Sequence, residues 1–409
     1  MPINHQKHSE TDSVFIPEAR REAVCRLFRE QFGGEPQMLV SAPGRTEIAG
    51  NHTDHNGGLA LAGAVDLDIL AAVSPCPGDT VQFFSEGFGE VSLALSENRP
   101  DPREYGTSAA LIRGIAALLR ARGFSAGGFR AAASSLIPGG AGLSSSAAFE
   151  VLVCTIFSHL YNGGGLCAVL AAQVSMEAEN RFFGKPCGLL DQLACSEGGC
   201  IAVDLLNQAA PHIRKVPFSP KISGFRLCIV DTRASHAGLT KEYAAVADEM
   251  RAVARMLGAA RLRDCSEDQL LEQSGNIRTH CGDRALLRAV HFFRENRRVE
   301  QQARALEEND FSRFLTLVRE SGRSSFEYLQ NVLIPGSARQ ELAVGLCFSE
   351  RLHGPQGASR VHGGGFAGTL QSYVPLSCIE AYRRGMEDLF GAGCCHFVSI
   401  RESGGTRVV

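Results

Sequence analysis

A glycine-rich turn followed by three consecutive serines constrains this chain more than any other local feature. Residues 138–150 read PGGAGLSSSAAFE, so glycines give way to hydroxyl side chains and then to small helix-forming residues. Glycines let backbone amides approach an anion closely, and a helix N-terminus adds partial positive charge and unpaired N–H donors. The segment therefore predicts a phosphate-binding turn that leads into a helix. A glycine loop with an ordinary serine N-cap is the simpler interpretation, and residues elsewhere must decide between the two.

The residues on either side of this turn predict a strand and a helix. Residues 129–136 have the pattern of a strand, and apolar residues recur at helical spacing beyond Ser146. The GxxxxGK[ST] pattern of P-loop sites is absent, and no GxGxxG opens a dinucleotide-binding unit. A phosphate site at this turn would therefore belong to a different family.

The hydrophobic pattern of the rest of the chain predicts a mixture of helices and strands. Helical spacing and stop signals predict helices at 17–32, 111–119, 166–180, 240–257, 284–306 and 310–318. Alternating or continuous apolar runs predict strands at 38–41, 59–73, 225–231, 369–374 and 396–400, the last one of the chain. Residues 42–58, between the first two of these strands, are predicted to form a loop.

Length and composition favour a two-domain protein that binds small molecules. The 409 residues, 44% of them hydrophobic, can form two packed domains, which we place at 14–205 and 206–409. A net charge of -3 gives no electrostatic reason to expect a nucleic-acid or membrane partner. The polar first 14 residues lack the apolar core of a signal peptide, and the fourteen cysteines are scattered without a CxxC. We therefore expect a cytoplasmic protein with free thiols.

Three further segments give the glycine-serine turn a context. They are APGRTEIAGNHTDHNGG at 42–58, ENRFFGKPCGLLDQ at 179–192 and HGGGFAGT at 362–369. In this order and spacing, the four segments resemble those of the GHMP superfamily of small-molecule kinases and, within it, the galactokinase family. The GRxxxxGxHxD pattern and the segment HFFRENRRV at 291–299 resemble that branch in particular. The resemblance spans nearly the whole chain.

The resemblance implies a bilobal α+β fold and a kinase activity. The N-terminal domain would hold a mixed sheet with a left-handed βαβ-type element, and the C-terminal domain would be α+β. The implied reaction moves the γ-phosphoryl group of ATP to the anomeric hydroxyl of a galactose-like sugar, with Mg²⁺ as cofactor, in a protein that we expect to be monomeric. Another acceptor, such as an amino sugar or a uronic acid, and a non-catalytic sensor of sugar and ATP are the alternatives.

Two residues match the family's catalytic pair. Asp191 matches the aspartate beside the reacting hydroxyl, where a carboxylate can accept the proton as a base. Arg45 matches the arginine that keeps this aspartate ionised and offsets the charge of the transferring phosphoryl group. Taken singly, Asp191 could be a helix N-cap and Arg45 half of a surface ion pair. A pure sensor would need neither residue.

The remaining site residues follow from the same motifs. The resemblance assigns Mg²⁺ to the Ser146 hydroxyl and the Glu179 carboxylate, oxygen ligands of the kind that this ion prefers. It assigns sugar contacts to His52, Asp54, Gly188 and Tyr243, although Tyr243 could equally be a core residue of its helix. The ATP-binding residues are then Pro138, Gly139, Gly140, Ala141, Gly142, Leu143, Ser144, Ser145, Ser146 and Gly364.

The chain departs from the family pattern beside the sugar contacts. The family has Asn two residues after the arginine and Glu six residues after it, whereas this chain has Glu47 and Asn51. A hydrogen bond between these two side chains would conserve their pairing while reversing which group faces the sugar. His55 also stands where the family has tyrosine. We therefore assign Glu47 and Asn51 to the sugar site and expect an altered sugar preference before a loss of catalysis.

Overall fold

The computed structural model describes residues 15–235 and 237–408. The first and last residues of the two predicted domains, Val14 and Val409, and the polar N-terminal segment lie outside these ranges. Within them the protein has a mixed α+β architecture built on two sheets, as the family resemblance implied.

The first sheet has eight strands. They are β1 (Met38–Ala49), β2 (Leu59–Pro75), β3 (Thr80–Ser85), β4 (Gly89–Ala94), β5 (Phe129–Ser135), β6 (Cys200–Asp204), β7 (His212–Val216) and β12 (Thr406–Val408). The order is β12-β1-β2-β5-β3-β4, and β6 joins β2 to β7. All pairs are antiparallel except β3 with β5, whose connection contains β4 and a helix. This parallel pair makes the sheet mixed, as predicted, while the left hand of its crossover stays a prediction.

The second sheet has four antiparallel strands. They are β8 (Phe225–Asp231), β9 (Ala358–His362), β10 (Thr369–Pro375) and β11 (Cys395–Val398), in the order β11-β8-β10-β9. Residues 363–368, here called the second glycine cluster, connect β9 to β10, so the hairpin fixes the position of this cluster at one end of the sheet. The strands predicted at 225–231 and 369–374 are confirmed.

Twelve α-helices cover these sheets in the described ranges. They are α1 (Glu18–Phe32), α2 (Ser108–Ala121), α3 (Ser145–Tyr161), α4 (Ala168–Ala178), α5 (Leu190–Glu197), α6 (Thr240–Met256), α7 (Glu267–Glu272), α8 (Ser274–Cys281), α9 (Asp283–Glu307), α10 (Phe311–Ser324), α11 (Glu341–His353) and α12 (Ile379–Phe390). A π-helical turn, Glu179–Phe183, extends α4. Burial explains α3, because most of its residues from Ala147 to Ser158 pack between the first sheet and neighbouring helices. None of the described helices is long and apolar enough to cross a membrane.

The structure corrects the prediction of a loop at 42–58. Strand β1 continues through Pro43 to Ala49, and only the residues from Gly50 to Gly58 form the connection to β2. Pro43 cannot donate a ladder hydrogen bond, and a register shift between Pro43 and Arg45 lets the strand continue past it. A second register shift lies between Glu47 and Ala49. Arg45 and Glu47 are therefore strand residues.

The C-terminal end of the chain also differs from the prediction. Strand β11 is not the last strand, because β12 returns to pair with β1 of the first sheet. The first sheet likewise continues past residue 205 to Val216. The strands β7 and β12 are short, so the hydrophobic pattern of their residues is too brief to predict a strand from the local sequence. We propose that the chain passes to the second lobe between residues 216 and 225 instead of at 205.

Candidate active site

The glycine-serine turn packs directly on strand β1. The amide of Arg45 donates to the carbonyl of Leu143 at 3.0 Å. A Cβ on Gly44 would lie 2.6 Å from the same carbonyl, so only glycine allows this close approach. The contact fixes the turn against the strand that carries Arg45.

Arg45 and Asp191 form a bidentate ion pair under this turn. Arg45 Nε donates to Asp191 Oδ1 at 2.7 Å and Arg45 Nη2 to Asp191 Oδ2 at 2.5 Å. Arg45 Nη1 donates to the carbonyl of Gly142 at 2.6 Å, and the Ser144 hydroxyl donates to Asp191 Oδ2 at 2.5 Å. The fold thus joins β1, the glycine-serine turn and the first turn of α5 at a single pair of charges.

The electrostatics of this cluster favour an ionised Asp191. Burial by itself would raise the pKa of the Asp191 carboxyl, but the charge and hydrogen bonds of Arg45, with the Ser144 hydroxyl, lower that pKa below its ordinary value. The Asp191 side chain is still 38% exposed, so a ligand can reach its oxygens. Asp191 therefore presents a negatively charged acceptor to the cleft.

Ser144 does not cap helix α3 with its side chain, contrary to the simpler interpretation of the serine run as an ordinary N-cap. It lies at the N-cap position with φ 54°, in the left-handed region, and makes no side-chain capping hydrogen bond. Its hydroxyl is directed to Asp191 instead. A left-handed backbone is costly for a residue other than glycine, and such strain is concentrated at functional sites.

A cleft of about 350 Å³ opens beside the ion pair. Its lining includes the residues of the glycine-serine turn and of the second glycine cluster: Pro138, Gly140, Gly142, Leu143, Ser144, Ser145, Ser146, Gly363, Gly364, Ala367 and Gly368. Of the residues predicted to bind ATP, Ala141 is buried in the core, and Gly139 is exposed outside this lining. The cleft brings the two glycine clusters together with Arg45 and Asp191.

The predicted metal ligands line the same cleft. Ser146 lies in the first turn of α3, and Glu179 begins the π-helical turn. Glu179 Oε1 accepts from Lys185 Nζ at 2.9 Å, and its Oε2 accepts from Gln192 Nε2 at 3.0 Å. A hydroxyl and a carboxylate beside the predicted phosphate site suit Mg²⁺, which keeps several waters and takes few protein ligands. Among the described residues no group of three or more His, Cys, Asp or Glu side chains is arranged to hold a metal by itself.

The loop between β1 and β2 contains a chain of hydrogen-bonded side chains. His52 Nε2 donates to the carbonyl of Gly364 at 2.9 Å, so its Nδ1 accepts from His55 Nε2 at 2.9 Å. His55 Nδ1 in turn lies 3.1 Å from Asp54 Oδ1. Burial and the neighbouring His55 lower the pKa of His52 to about 3, so His52 is neutral. These hydrogen bonds link residues 50–58, here called the sugar-signature loop because they include predicted sugar contacts, to the second glycine cluster.

Gly188 and Tyr243 both make close contacts with this region. A Cβ on Gly188 would lie 2.7 Å from Asp54 Oδ2, so the absence of a side chain brings the segment before α5 against the loop. The Tyr243 hydroxyl donates to the carbonyl of Gly365 at 2.9 Å, and its ring would meet a Cβ on Gly364 at 2.7 Å. Burial raises the pKa of Tyr243 to about 12. These contacts place Tyr243 beside the glycine cluster as well as on its helix.

Glu47 and Asn51 are hydrogen-bonded to each other, as their exchange of positions suggested. Asn51 Nδ2 donates to Glu47 Oε1 at 3.2 Å and to the carbonyl of Gly363 at 2.6 Å, and Asn51 Oδ1 accepts from Asn331 Nδ2 at 2.8 Å. Glu47 Oε1 also accepts from Arg360 Nη2 at 2.5 Å. A sugar contact that accepts from Asn51 Nδ2 would have to replace one of its two hydrogen bonds.

Helix α9 supports the sugar-signature loop from the second lobe, a role not inferred from the sequence. His291 Nε2 donates to the carbonyl of Asn51 at 3.0 Å, and Asn296 Oδ1 accepts from the amide of Leu59 at 2.7 Å. Glu295 Oε1 accepts from the amide of Gly50 at 3.4 Å. The segment HFFRENRRV was the available signal, and its polar residues are spaced to meet one loop.

His362, at the end of β9, is a second contact between the lobes that the sequence interpretation did not include. The amide of Glu47 donates to His362 Nε2 at 3.3 Å, so Nδ1 carries the proton and donates to Thr369 Oγ1 at 3.0 Å. Burial and the nearby cations of Arg45 and Arg360 hold the pKa of His362 well below its usual range. Its position directly before the second glycine cluster was the only local signal.

Two sequence-family signatures match the chain. The signature described as Galactokinase galactose-binding signature matches residues 26–75, which contain Arg45 and the sugar-signature loop. The GHMP kinases N terminal domain matches residues 106–199, which contain the glycine-serine turn, Glu179 and Asp191. The matched ranges therefore include most of the candidate site.

Known proteins agree with these signatures over almost the full length of the chain. A galactokinase of Streptomyces coelicolor is 31% identical over 404 residues, with 96% of this chain and 100% of the relative covered. Human galactokinase is 31% identical over 389 residues, with 93% of this chain and 94% of the relative covered. The fold is similar to that of Lactococcus lactis galactokinase complexed with galactose, with a TM-score of 0.81 and 23% identity. The match covers 95% of this chain and 99% of that structure. Methanococcus jannaschii mevalonate kinase is more distant, with a TM-score of 0.61 and 17% identity over 92% and 99%. The chain therefore belongs to the galactokinase family, and it is a phosphotransferase with the GHMP-kinase fold.

Proposed function

We propose that the protein transfers the γ-phosphoryl group of ATP to the anomeric hydroxyl of galactose or a closely related sugar. One observation carries the proposal: the Arg45–Asp191 pair contacts the glycine-serine turn, and Arg45 lies on the strand that leads into the loop of the predicted sugar contacts. Phosphoryl transfer needs this arrangement, because positioning and charge stabilisation supply most of its catalysis.

In the proposed reaction Asp191 accepts the proton of the attacking hydroxyl. Its Oδ2 already accepts two hydrogen bonds, from Arg45 and Ser144, whereas its Oδ1 accepts only one, from Arg45. Oδ1 is therefore the better acceptor for the sugar hydroxyl. The sugar oxygen forms the new bond to the γ-phosphorus as the bond to ADP breaks, and the proton passes to Oδ1. The remaining N–H groups of Arg45 would stabilise charge on the transferred group.

Mg²⁺ belongs to the proposal as well. Ser146 and Glu179 would hold it, and the ion would neutralise charge on the β- and γ-phosphates. The amides of the glycine-serine turn would bind the phosphate oxygens, helped by the N-terminus of α3. A cytoplasmic location and a monomeric state complete the proposal.

Galactose is the first candidate acceptor, and a modified galactose is the second. The signature match at 26–75 supports galactose. The hydrogen bonds of Asn51 to Gly363 and Asn331 favour a changed pocket, because they engage the side chain at a position where the family has a sugar-contacting glutamate. His55, where the family has tyrosine, adds a polar ring to the same loop.

An ATP-consumption assay over a panel of sugars tests both statements. The panel is galactose, galactosamine, N-acetylgalactosamine, glucose, arabinose and galacturonic acid, and phosphorus NMR assigns the position of the product phosphate. We expect turnover of galactose or of one of its derivatives, with the phosphate on the anomeric oxygen. Binding of sugar and ATP without turnover of any sugar would favour the sensor and refute the kinase. The Asp191→Asn variant is the matched negative control.

A further inference from the structure

The cleft contains one cation whose role is not explained by the Arg45–Asp191 pair. Lys185 lines the cleft together with Ser144, Ser145 and Asp191. Its ammonium group donates to Glu179 Oε1 at 2.9 Å, and its side chain is 60% exposed. An ammonium group has three donors, so two remain for a ligand.

The backbone on either side of Lys185 is fixed by hydrogen bonds. The Lys185 amide donates to the carbonyl of Glu179 at 3.1 Å. Cys187 donates through its amide to Asn180 Oδ1 at 2.7 Å and accepts through its carbonyl from Asn180 Nδ2 at 3.2 Å. Gly184, with φ 79°, supplies the left-handed turn just before it. The base of the Lys185 side chain is therefore held at the edge of the cleft.

The charges that line the cleft show what Lys185 contributes. Its described lining contains two cations, Arg45 and Lys185, and two carboxylates, Glu179 and Asp191. Three of the five N–H groups of Arg45 already donate to Asp191 and to a backbone carbonyl. Without Lys185 the lining would have a net negative charge, which would repel a triphosphate.

We propose that Lys185 binds the phosphate chain of the nucleotide, with Glu179 as the partner that holds its ammonium group in the cleft. This inference rests on the proposed kinase function, which supplies the nucleotide. Lys185 would then add charge-assisted hydrogen bonds from the segment before α5, while the glycine-serine turn binds from the N-terminus of α3.

Nucleotide binding measured by calorimetry tests the proposal in the full chain. The variant Lys185→Met removes the charge and keeps the length of the side chain. We expect it to weaken binding of ATP and ADP with Mg²⁺ by about tenfold or more and to leave binding of adenosine unchanged, since a hydrogen bond to a charged group contributes a factor of this order. Lys185→Arg should recover part of the loss. Unchanged thermal unfolding confirms that the variants are folded.

Arg181→Met is the matched control. Arg181 lies four residues earlier, is exposed and pairs with Glu177, and it is not among the residues that line the cleft. The control should bind ATP within twofold of the unmodified protein.

Three results would overturn the role of Lys185. The first is an ATP affinity of Lys185→Met within twofold of the unmodified protein. The second is an equal loss for ATP and adenosine, which indicates a structural effect. The third is that Lys185→Met lowers the half-saturating Mg²⁺ concentration and leaves nucleotide affinity unchanged. This result would indicate that Lys185 only offsets the charge of Glu179. Failure of the unmodified protein to bind ATP would instead refute the kinase proposal itself.

Discussion

The pair Glu47 and Asn51 gives the most quantitative prediction, because hydrogen bonds join both side chains to residues of the second lobe. Arg360 is fully buried, and Glu47 is the carboxylate bonded to its guanidinium group. Glu47→Gln keeps the shape of the side chain and removes its charge. An uncompensated buried charge costs about 3–5 kcal/mol, and we expect a loss of unfolding free energy of this size.

The isosteric change Asn51→Asp should also destabilise the protein, for a different reason. It replaces the donor Nδ2 by an oxygen 3.2 Å from Glu47 Oε1 and 2.6 Å from the carbonyl of Gly363. The Gly363 carbonyl then loses its donor, at about 1–3 kcal/mol, while Glu47 Oε1 keeps the hydrogen bond from Arg360, and two carboxylates are brought together. Combined, Glu47→Gln and Asn51→Asp restore an amide–carboxylate pair beside Arg360. We expect the double variant to be more stable than the sum of the single effects by about 2 kcal/mol, with the unpaired Gly363 carbonyl as residual cost.

Urea unfolding followed by far-ultraviolet circular dichroism is the suitable assay, because the chain has no tryptophan. The control is Glu35→Gln, which removes the partner of Arg29 in an exposed pair and should cost less than about 1 kcal/mol. Additive effects of Glu47→Gln and Asn51→Asp, within about 0.5 kcal/mol, would refute the coupling between positions 47 and 51.

Three further outcomes are expected. Asp191→Asn should lower kcat by roughly a hundredfold or more while ATP binding measured by calorimetry stays within a few fold, and a kcat within tenfold would remove Asp191 as the base. Gly188→Ala places a Cβ 2.7 Å from Asp54 Oδ2 and should raise KM for the sugar more than KM for ATP. The control Gly275→Ala, which has open space around it, should change neither KM. Equal effects of Gly188→Ala on both KM values would contradict a role of this contact in the sugar site. Because His362 stays neutral when folded, the unfolded chain binds one more proton there below pH 6.5. Stability should therefore fall as pH drops below 6.5, and by less in His362→Gln when urea unfolding is compared at pH 7 and pH 5.

Much of the local structure was predictable from the sequence, and so was the set of candidate residues that the fold brings together at one cleft. Helical periodicity located α1, α2 and α9, and the strand, glycine turn and helix around Ser146 follow in the expected order. Such features depend on neighbours within a few residues, where spacing and backbone preference are decisive. Strand β1 was underestimated because Pro43 and Gly44 have the local signature of a turn, whereas pairing with β2 determines their conformation.

The sequence by itself determined the family, the mixed α+β class and the candidate site residues, since these are carried by short motifs in a fixed order. Only the tertiary structure decided which groups meet. Arg45 reaches Asp191 across 146 residues of chain, Glu47 pairs with Arg360 across 313, and Ser144 turns from its helix to Asp191. Such contacts depend on strand register and on how the two lobes pack, and neither is encoded in the residues adjacent to each motif.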